Sequence, residues 1–386
     1  MVRRSFVFVL TLLVCIYFFD ISYLFKGVRC TYLRGESSAQ IDDYELFFNR
    51  SVATKNPFII PFGKNFNDSI INDSLDFALK KSKSVAFLVV QNDSVRFEKY
   101  WKGWDQNKKT NSFSIAKSIM SLLVGCAIDQ GVIVSVNQSI FDFLPELKKF
   151  NNYDVKIKHL LEMSSGLDWF ENYKKPISVT AKAYYGSDLK NLMLGRSFVS
   201  EPGKYHDYKS GDTQLLGLIL ERASGKSVSS FASEFFWSKI GAKNNAMWTL
   251  DDSGGIEKTF CCFNSSARDF SKIGLLLLGR GEFLERRVVS DNYINWSLSV
   301  PNLIDIKTNK KVDYYSNGWW TANVFNRVVY YARGFNGQYI VTIPSINLVF
   351  VRLGFWEDES SVEKNEFKMS DNLLFFTKEI IKEFAY

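Results

Sequence analysis

The sequence predicts an α/β (α+β) fold, an antiparallel sheet flanked by helices and interrupted by a mainly helical insertion domain. Three observations predict it. Strand-like apolar runs stand at 85–100 and again at 328–353, so both ends of the globular part supply strands. Between them, residues 135–225 are helix-rich and irregular. Amphipathic helical patterns open at Ser114 and close the chain from about Asp371 to Phe384. A sheet layer completed by both ends of a chain, with helices covering it, is the simplest way to bury such runs.

The elements follow in order. Arg3 and Arg4 precede an apolar stretch from Ser5 to Phe19, the layout of a secretory signal. No small-x-small cleavage site follows, and Leu12-Leu13-Val14 before Cys15 is a poor lipobox. Residues 1–25 are therefore expected to be an N-terminal signal anchor or signal peptide. That puts the protein in the cell envelope, inner-membrane anchored or periplasmic/secreted, touching the membrane through this segment. Residues 26–80 show no clear period and read as linker and lead-in.

An α/β sheet domain is expected over 81–134 and 226–386, with the mainly helical domain over 135–225. Val85–Val90, a polar turn at Gln91–Ser94 and Val95–Tyr100 read as a β-hairpin. From Ser114, the positions Ile115, Ile119, Leu122, Leu123 and Cys126 keep helical spacing, and Gly131 is a natural stop. Ser227–Lys239 and Ser266–Leu278 read as amphipathic helices. Val328–Ala332, Gln338–Ile343 and Asn347–Leu353 then return to strand character before the last helix.

Composition narrows the function. Of 386 residues, 46% are hydrophobic and 16% aromatic, enough for a large core and incompatible with disorder. The net charge of +7 is spread along the chain, with no basic tract interleaved with aromatics, so no nucleic-acid partner is expected. His159 and His206 are the only histidines. A His-rich metal site is thereby nearly excluded, and a general base for acyl transfer is expected to be something other than histidine. The cysteines Cys15, Cys30, Cys126, Cys261 and Cys262 form no regular framework and read as buried or free thiols, since adjacent cysteines rarely bridge.

Ser114-Ile115-Ala116-Lys117 is an S-x-x-K motif, and the same pattern recurs at Ser187–Lys190 and Ser361–Lys364. Only the first opens a long amphipathic helix. There, residues at i and i+3 share one face, so Ser114 and Lys117 come within hydrogen-bond reach. Burial lowers a lysine's pKa and makes neutral amine available as a base. The helix N-terminus adds N–H groups and positive dipole for a developing oxyanion. The bland alternative for Ser114 is an ordinary helix N-cap.

Two further elements accompany it. Tyr208-Lys209-Ser210 precedes another apolar helix. A tyrosine beside a cationic lysine can relay protons, and the Ser210 hydroxyl is placed to bond Lys117 or substrate. Ala332-Arg333-Gly334-Phe335-Asn336-Gly337-Gln338 lies between two strand-like runs, where glycine lets backbone approach substrate closely. Taken singly, these elements read as a core-packed loop tyrosine and a hairpin turn.

These three elements, in this order, resemble the serine β-lactamase and penicillin-binding-protein superfamily, particularly its class C-like branch. That branch includes 6-aminohexanoate-dimer hydrolases and family VIII-type esterases. The likeness spans about residues 80–355. It takes in His159–Trp169 (HLLEMSSGLDW), Gly211–Lys226 (GDTQLLGLILERASGK) and Cys261–Gly281 (CCFNSSARDFSKIGLLLLGRG).

The resemblance implies a β-lactamase/transpeptidase-like fold and a serine hydrolase without metal or organic cofactor. Ser114 would be the acylated nucleophile and Lys117 its base. Tyr208 would be the tyrosine of the Y-x-N element, with Ser210 in place of asparagine. Ser210, Arg333, Gly334 and Phe335 would bind substrate, and the N–H groups of Ser114 and Phe335 would form the oxyanion hole. Glu171 stands aside as deacylation base, because class C-like sites use tyrosine and lysine for that step.

One departure matters. Ala332 replaces the cation or imidazole that holds the substrate carboxylate in true β-lactamases and DD-peptidases, and Arg333 points to the opposite strand face. The expected function is therefore cleavage of a small-molecule amide or ester through a Ser114 acyl-enzyme. The alternatives are a DD-peptidase or true β-lactamase of the cell envelope, or a catalytically inactive envelope-anchored binding protein. Oligomeric state is left open.

Overall fold

The computed structural model describes residues 21–68, 71–150, 152–358 and 368–385. The Ser5–Phe19 run and the Ser361–Lys364 match lie outside them. No helix among the described residues is long and apolar enough to cross a membrane.

The main sheet has six strands, β1 (Ser84–Gln91), β2 (Ser94–Tyr100), β3 (Trp320–Val324), β4 (Arg327–Gly334), β5 (Gln338–Ile343) and β6 (Leu348–Gly354). Their order is β3-β4-β5-β6-β1-β2, and every neighbouring pair is antiparallel. The hairpin near the N-terminus and the C-terminal meander thus meet at β6–β1, as the two sets of apolar runs predict. The hairpin turn is tight because Asn92 and Asp93 both take left-handed backbone (φ 50° and 58°), which suits the strand twist.

Helices cover both faces, which is why β1 is buried along its whole length. Phe87 and Val89 face a layer formed by α2 (Asp73–Lys81) and the C-terminal helix Asp371–Phe384. Leu88 and Val90 point the other way, into the larger core. That core holds α3 (Ile115–Asp129) and the helix Ala267–Leu278, whose Gly274 lies against Val349 of β6.

Between α3 and the return to the sheet come short helices and turns: α4 (Ile157–Leu161), α5 (Val179–Tyr185), α6 (Leu189–Leu194) and the longer α7 (Ser210–Ser224), which packs on α3.

Two expectations need correction. The stretch 26–80 is more than a linker: it carries part of α1 (Tyr23–Cys30), the strand Asn49–Val52, and α2. Asn49–Val52 pairs with Ala246–Thr249 in a second, four-stranded sheet. Only Val52 of this strand is buried, so its ladder to a distant partner holds it, and that leaves no periodic signal. The helix expected over 227–239 starts as Val228–Ala232 and then widens into a π-turn at Ser233–Trp237, where Phe236 and Trp237 enter the core.

Candidate active site

The first turn of α3 is held by an unusual lead-in. The Ser112 N–H donates to the Phe263 carbonyl at 3.0 Å, and the Phe113 N–H donates to Asn111 Oδ1 at 2.9 Å. Phe113 then takes left-handed backbone (φ 45°), a conformation that a bulky residue keeps only when its surroundings impose it. This kink delivers Ser114 to the N-terminus of α3. Ser114 occupies the N-cap position, yet its side chain caps no backbone N–H. Its Oγ instead accepts a 2.9 Å hydrogen bond from Lys117 Nζ, so the ordinary N-cap reading fails.

Lys117 is buried, 3% exposed, and also donates to the Phe260 carbonyl at 2.8 Å. Burial lowers its pKa to about 8, opposed by the negative charge of Glu171. The Phe260 carbonyl is itself positioned by α7. Gln214 donates through Nε2 to the Glu257 carbonyl and accepts through Oε1 from the Thr259 N–H, each at 2.9 Å. The GDTQLLG run therefore has a physical role, to tie the 257–260 loop against the lysine.

Tyr208 stands beside this pair, with Lys117 Nζ 5.1 Å from its ring centroid. Trp320 and Tyr315 pack on the tyrosine at 5.6 and 6.0 Å between centroids. Ser210 behaves differently from expectation. Its hydroxyl donates to Glu171 Oε1 at 2.9 Å and its N–H to Glu171 Oε2 at 2.6 Å, rather than the hydroxyl bonding Lys117. Trp169 Nε1 donates to the same Oε2 at 2.8 Å.

Glu171 is thus the polar hub that joins the 159–171 segment to the start of α7, a role the sequence did not reveal. The segment reaches it through two left-handed residues, Met163 (φ 57°) and Gly166 (φ 75°). A Cβ at Gly166 would stand 2.1 Å from the Ser200 carbonyl oxygen.

The end of β4 closes the other side. A Cβ on Gly334 would lie 2.1 Å from the Ser112 carbonyl oxygen, so only glycine lets this strand abut the lead-in to Ser114. Phe335 follows, its ring edge-on to Phe113 at 5.6 Å. Asn336 (φ 60°) and Gly337 (φ 78°) make the turn into β5. The fully buried Arg352 donates to their carbonyls at 2.8 and 2.7 Å.

Ala332 packs in the core with α3, while the guanidinium of Arg333 lies 5.6 Å from the Trp320 ring centroid. The strand alternation expected for these two residues holds.

The cysteines need a further correction. Cys261 and Cys262 are joined by a disulfide, with Cys262 in left-handed backbone (φ 69°), while Cys30 and Cys126 are buried thiols. The bridge directly follows Phe260, which holds Lys117.

Both histidines serve structure. His159 Nδ1 accepts from the Lys156 N–H at 3.1 Å, and His206 Nδ1 pairs with the Glu162 carbonyl at 2.9 Å. At the Ser187–Lys190 match, Asp188 caps α6 and Lys190 is exposed.

Comparison with known proteins agrees with this geometry. A family model described as Beta-lactamase matches residues 77–365. A 6-aminohexanoate-dimer hydrolase of Paenarthrobacter ureafaciens is 25% identical over 308 residues, covering 74% of this chain and 76% of that protein. Among solved structures, a Bacillus anthracis protein assigned as a 6-aminohexanoate-dimer hydrolase superposes with a TM-score of 0.72 at 19% identity, over 89% of this chain and 93% of the other. A family VIII carboxylesterase gives 0.63 at 17% identity, over 84% and 98%. At these identities the superpositions speak for the fold.

Proposed function

This chain belongs to the beta-lactamase family and is a serine hydrolase, and from that premise we propose that it cleaves an ester or amide through an acyl-enzyme on Ser114. The 2.9 Å contact between Lys117 Nζ and Ser114 Oγ carries the reading. Neutral Lys117 takes the hydroxyl proton as Oγ attacks the substrate carbonyl. The N–H groups of Ser114 and Phe335 receive the oxyanion that forms.

Tyr208, next to the lysine, passes the proton to the departing alcohol or amine as its bond to the acyl carbon breaks. Water then repeats the attack, giving one proton back through the same pair, and releases the acid and free Ser114.

Ester or amide cleavage is favoured over β-lactam cleavage at one position. Ala332 presents a buried methyl group where a carboxylate-binding cation would be needed, and Arg333 lies on the opposite strand face against Trp320. Turnover of p-nitrophenyl esters against nitrocefin tests this. Ester turnover that disappears in Ser114→Ala and Lys117→Met supports the reading, and nitrocefin turnover without ester turnover contradicts it.

An envelope location belongs to the same proposal. It is supported by Arg3 and Arg4 before the Ser5–Phe19 apolar run and by the Cys261–Cys262 disulfide, a bond typical of oxidising compartments. Separation of cell membranes from soluble fractions, with recovery of the chain in the soluble cytoplasm, would overturn it.

A further inference from the structure

The Ser114 site opens into a cavity of about 180 Å³ whose outer wall comes from outside the family-matched region. That wall is α1, which contributes Leu24 and Val28. It is seated on α5, where Gly27 faces the Tyr185 ring, and the Tyr23 hydroxyl donates to the Pro176 carbonyl at 3.2 Å. Tyr173, Ala181 and Tyr184 also line it, as does Phe335, whose ring stacks with Tyr173 and stands edge-on to Phe113 beside Ser114.

Among the described residues, the charged groups that line it are Lys174 and Lys175, both exposed, while the nearby carboxylate of Glu171 is held by the Ser210 hydroxyl and N–H and is not itself part of the lining. Ser114 lines the cavity but Lys117 and Tyr208 do not. The leaving group must depart on the Tyr208 side to be protonated, so the cavity holds the part of the substrate that stays on the serine.

The geometry points to a substrate class: an ester or amide whose acyl part is an uncharged apolar chain or ring of about six carbons. Its acyl group lodges between α1 and α5. This inference rests on the acyl-enzyme reading above. A dry apolar cavity of about 150 Å³ holds benzene, which sets the size. An ammonium at the far end of the chain would meet the like charges of Lys174 and Lys175 and no carboxylate among the described lining residues, so amino-terminated acyl groups are disfavoured.

The test measures kcat/KM for p-nitrophenyl acetate, butyrate, hexanoate and 6-aminohexanoate with the full chain, alongside fluorophosphonate labelling of Ser114. The expected result is a rise of up to roughly fourfold per methylene from acetate to hexanoate, and a preference for hexanoate over 6-aminohexanoate of at least about tenfold. Ala181→Trp and, from α1, Val28→Trp should each cut the hexanoate-to-acetate ratio about tenfold or more. Val28 is 42% exposed, so its variant keeps the test open where Ala181→Trp fails to fold.

A flat or falling chain-length profile in a protein that still labels at Ser114 overturns the acyl pocket alone. So does a preference for 6-aminohexanoate. No labelling together with no turnover of any ester overturns the acyl-enzyme reading and the pocket with it.

Discussion

Gly334 and Ser112 meet backbone to backbone: a single added methyl group on Gly334 would stand 2.1 Å from the Ser112 carbonyl oxygen. The obstacle is main chain two residues before Ser114, so neither side can yield without moving the site. Gly334→Ala is therefore expected to push β4 away from Ser114 and lower kcat about 10²-fold, the usual cost of a displacement near 1 Å. Steady-state kinetics with a melting curve on the same sample check it. Unchanged kcat would mean that the strand edge takes no part in catalysis.

The proposed mechanism makes Lys117 the residue that sets the pH profile. Burial disfavours its ammonium form and lowers its folded pKa to about 8, and in the proposed mechanism the neutral amine is the base. The kcat/KM profile should rise with pH through an apparent pKa near 8, and Lys117→Met should lose about 10²–10⁴-fold in kcat. Stability should follow the same residue. From about 8 up to 10.5 the unfolded chain keeps a proton that the folded lysine has released, so stability rises with pH across that window. Melting temperatures of wild type and Lys117→Met against pH should diverge there.

Glu171 opposes that depression, since its negative charge favours the lysine's ammonium form. Glu171→Gln removes the charge and keeps one acceptor oxygen for the Ser210 and Trp169 donors. The rising limb of the pH profile should move to lower pH, with about 1 kcal/mol of stability lost with the missing acceptor. A limb that stays in place would remove Glu171 from the electrostatics of the base.

The disulfide predicts a mass. Alkylation of denatured, unreduced protein should leave Cys261 and Cys262 unmodified, and reduction beforehand should add two adducts. Equal labelling with and without reductant would return both residues to the thiol state that their adjacency suggests.

Much of the fold was legible in local pattern. The continuous apolar run 85–90 is a strand buried on both faces, and the spacing from Ile115 to Cys126 is the buried side of α3. Strand alternation also separated Ala332 from Arg333 correctly. What stayed hidden depends on partners far apart in the chain or on loops without a period. Glu171 sits in a polar loop and finds Ser210 39 residues later. Asn49–Val52 is a strand only because Ala246–Thr249 lies beside it. The Cys261–Cys262 bridge offers no spacing to read. The most consequential miss is α1, whose amphipathic turns follow an apolar leader-like run and gave no hint that they wall the Ser114 cavity.

The most direct test of the central claim is intact mass spectrometry after fluorophosphonate treatment of wild type and Ser114→Ala. A single adduct on wild type that maps to the peptide carrying Ser114, and no adduct on Ser114→Ala, is the predicted result. An adduct that persists in Ser114→Ala, or that maps to another serine, would contradict the assignment of Ser114 as nucleophile.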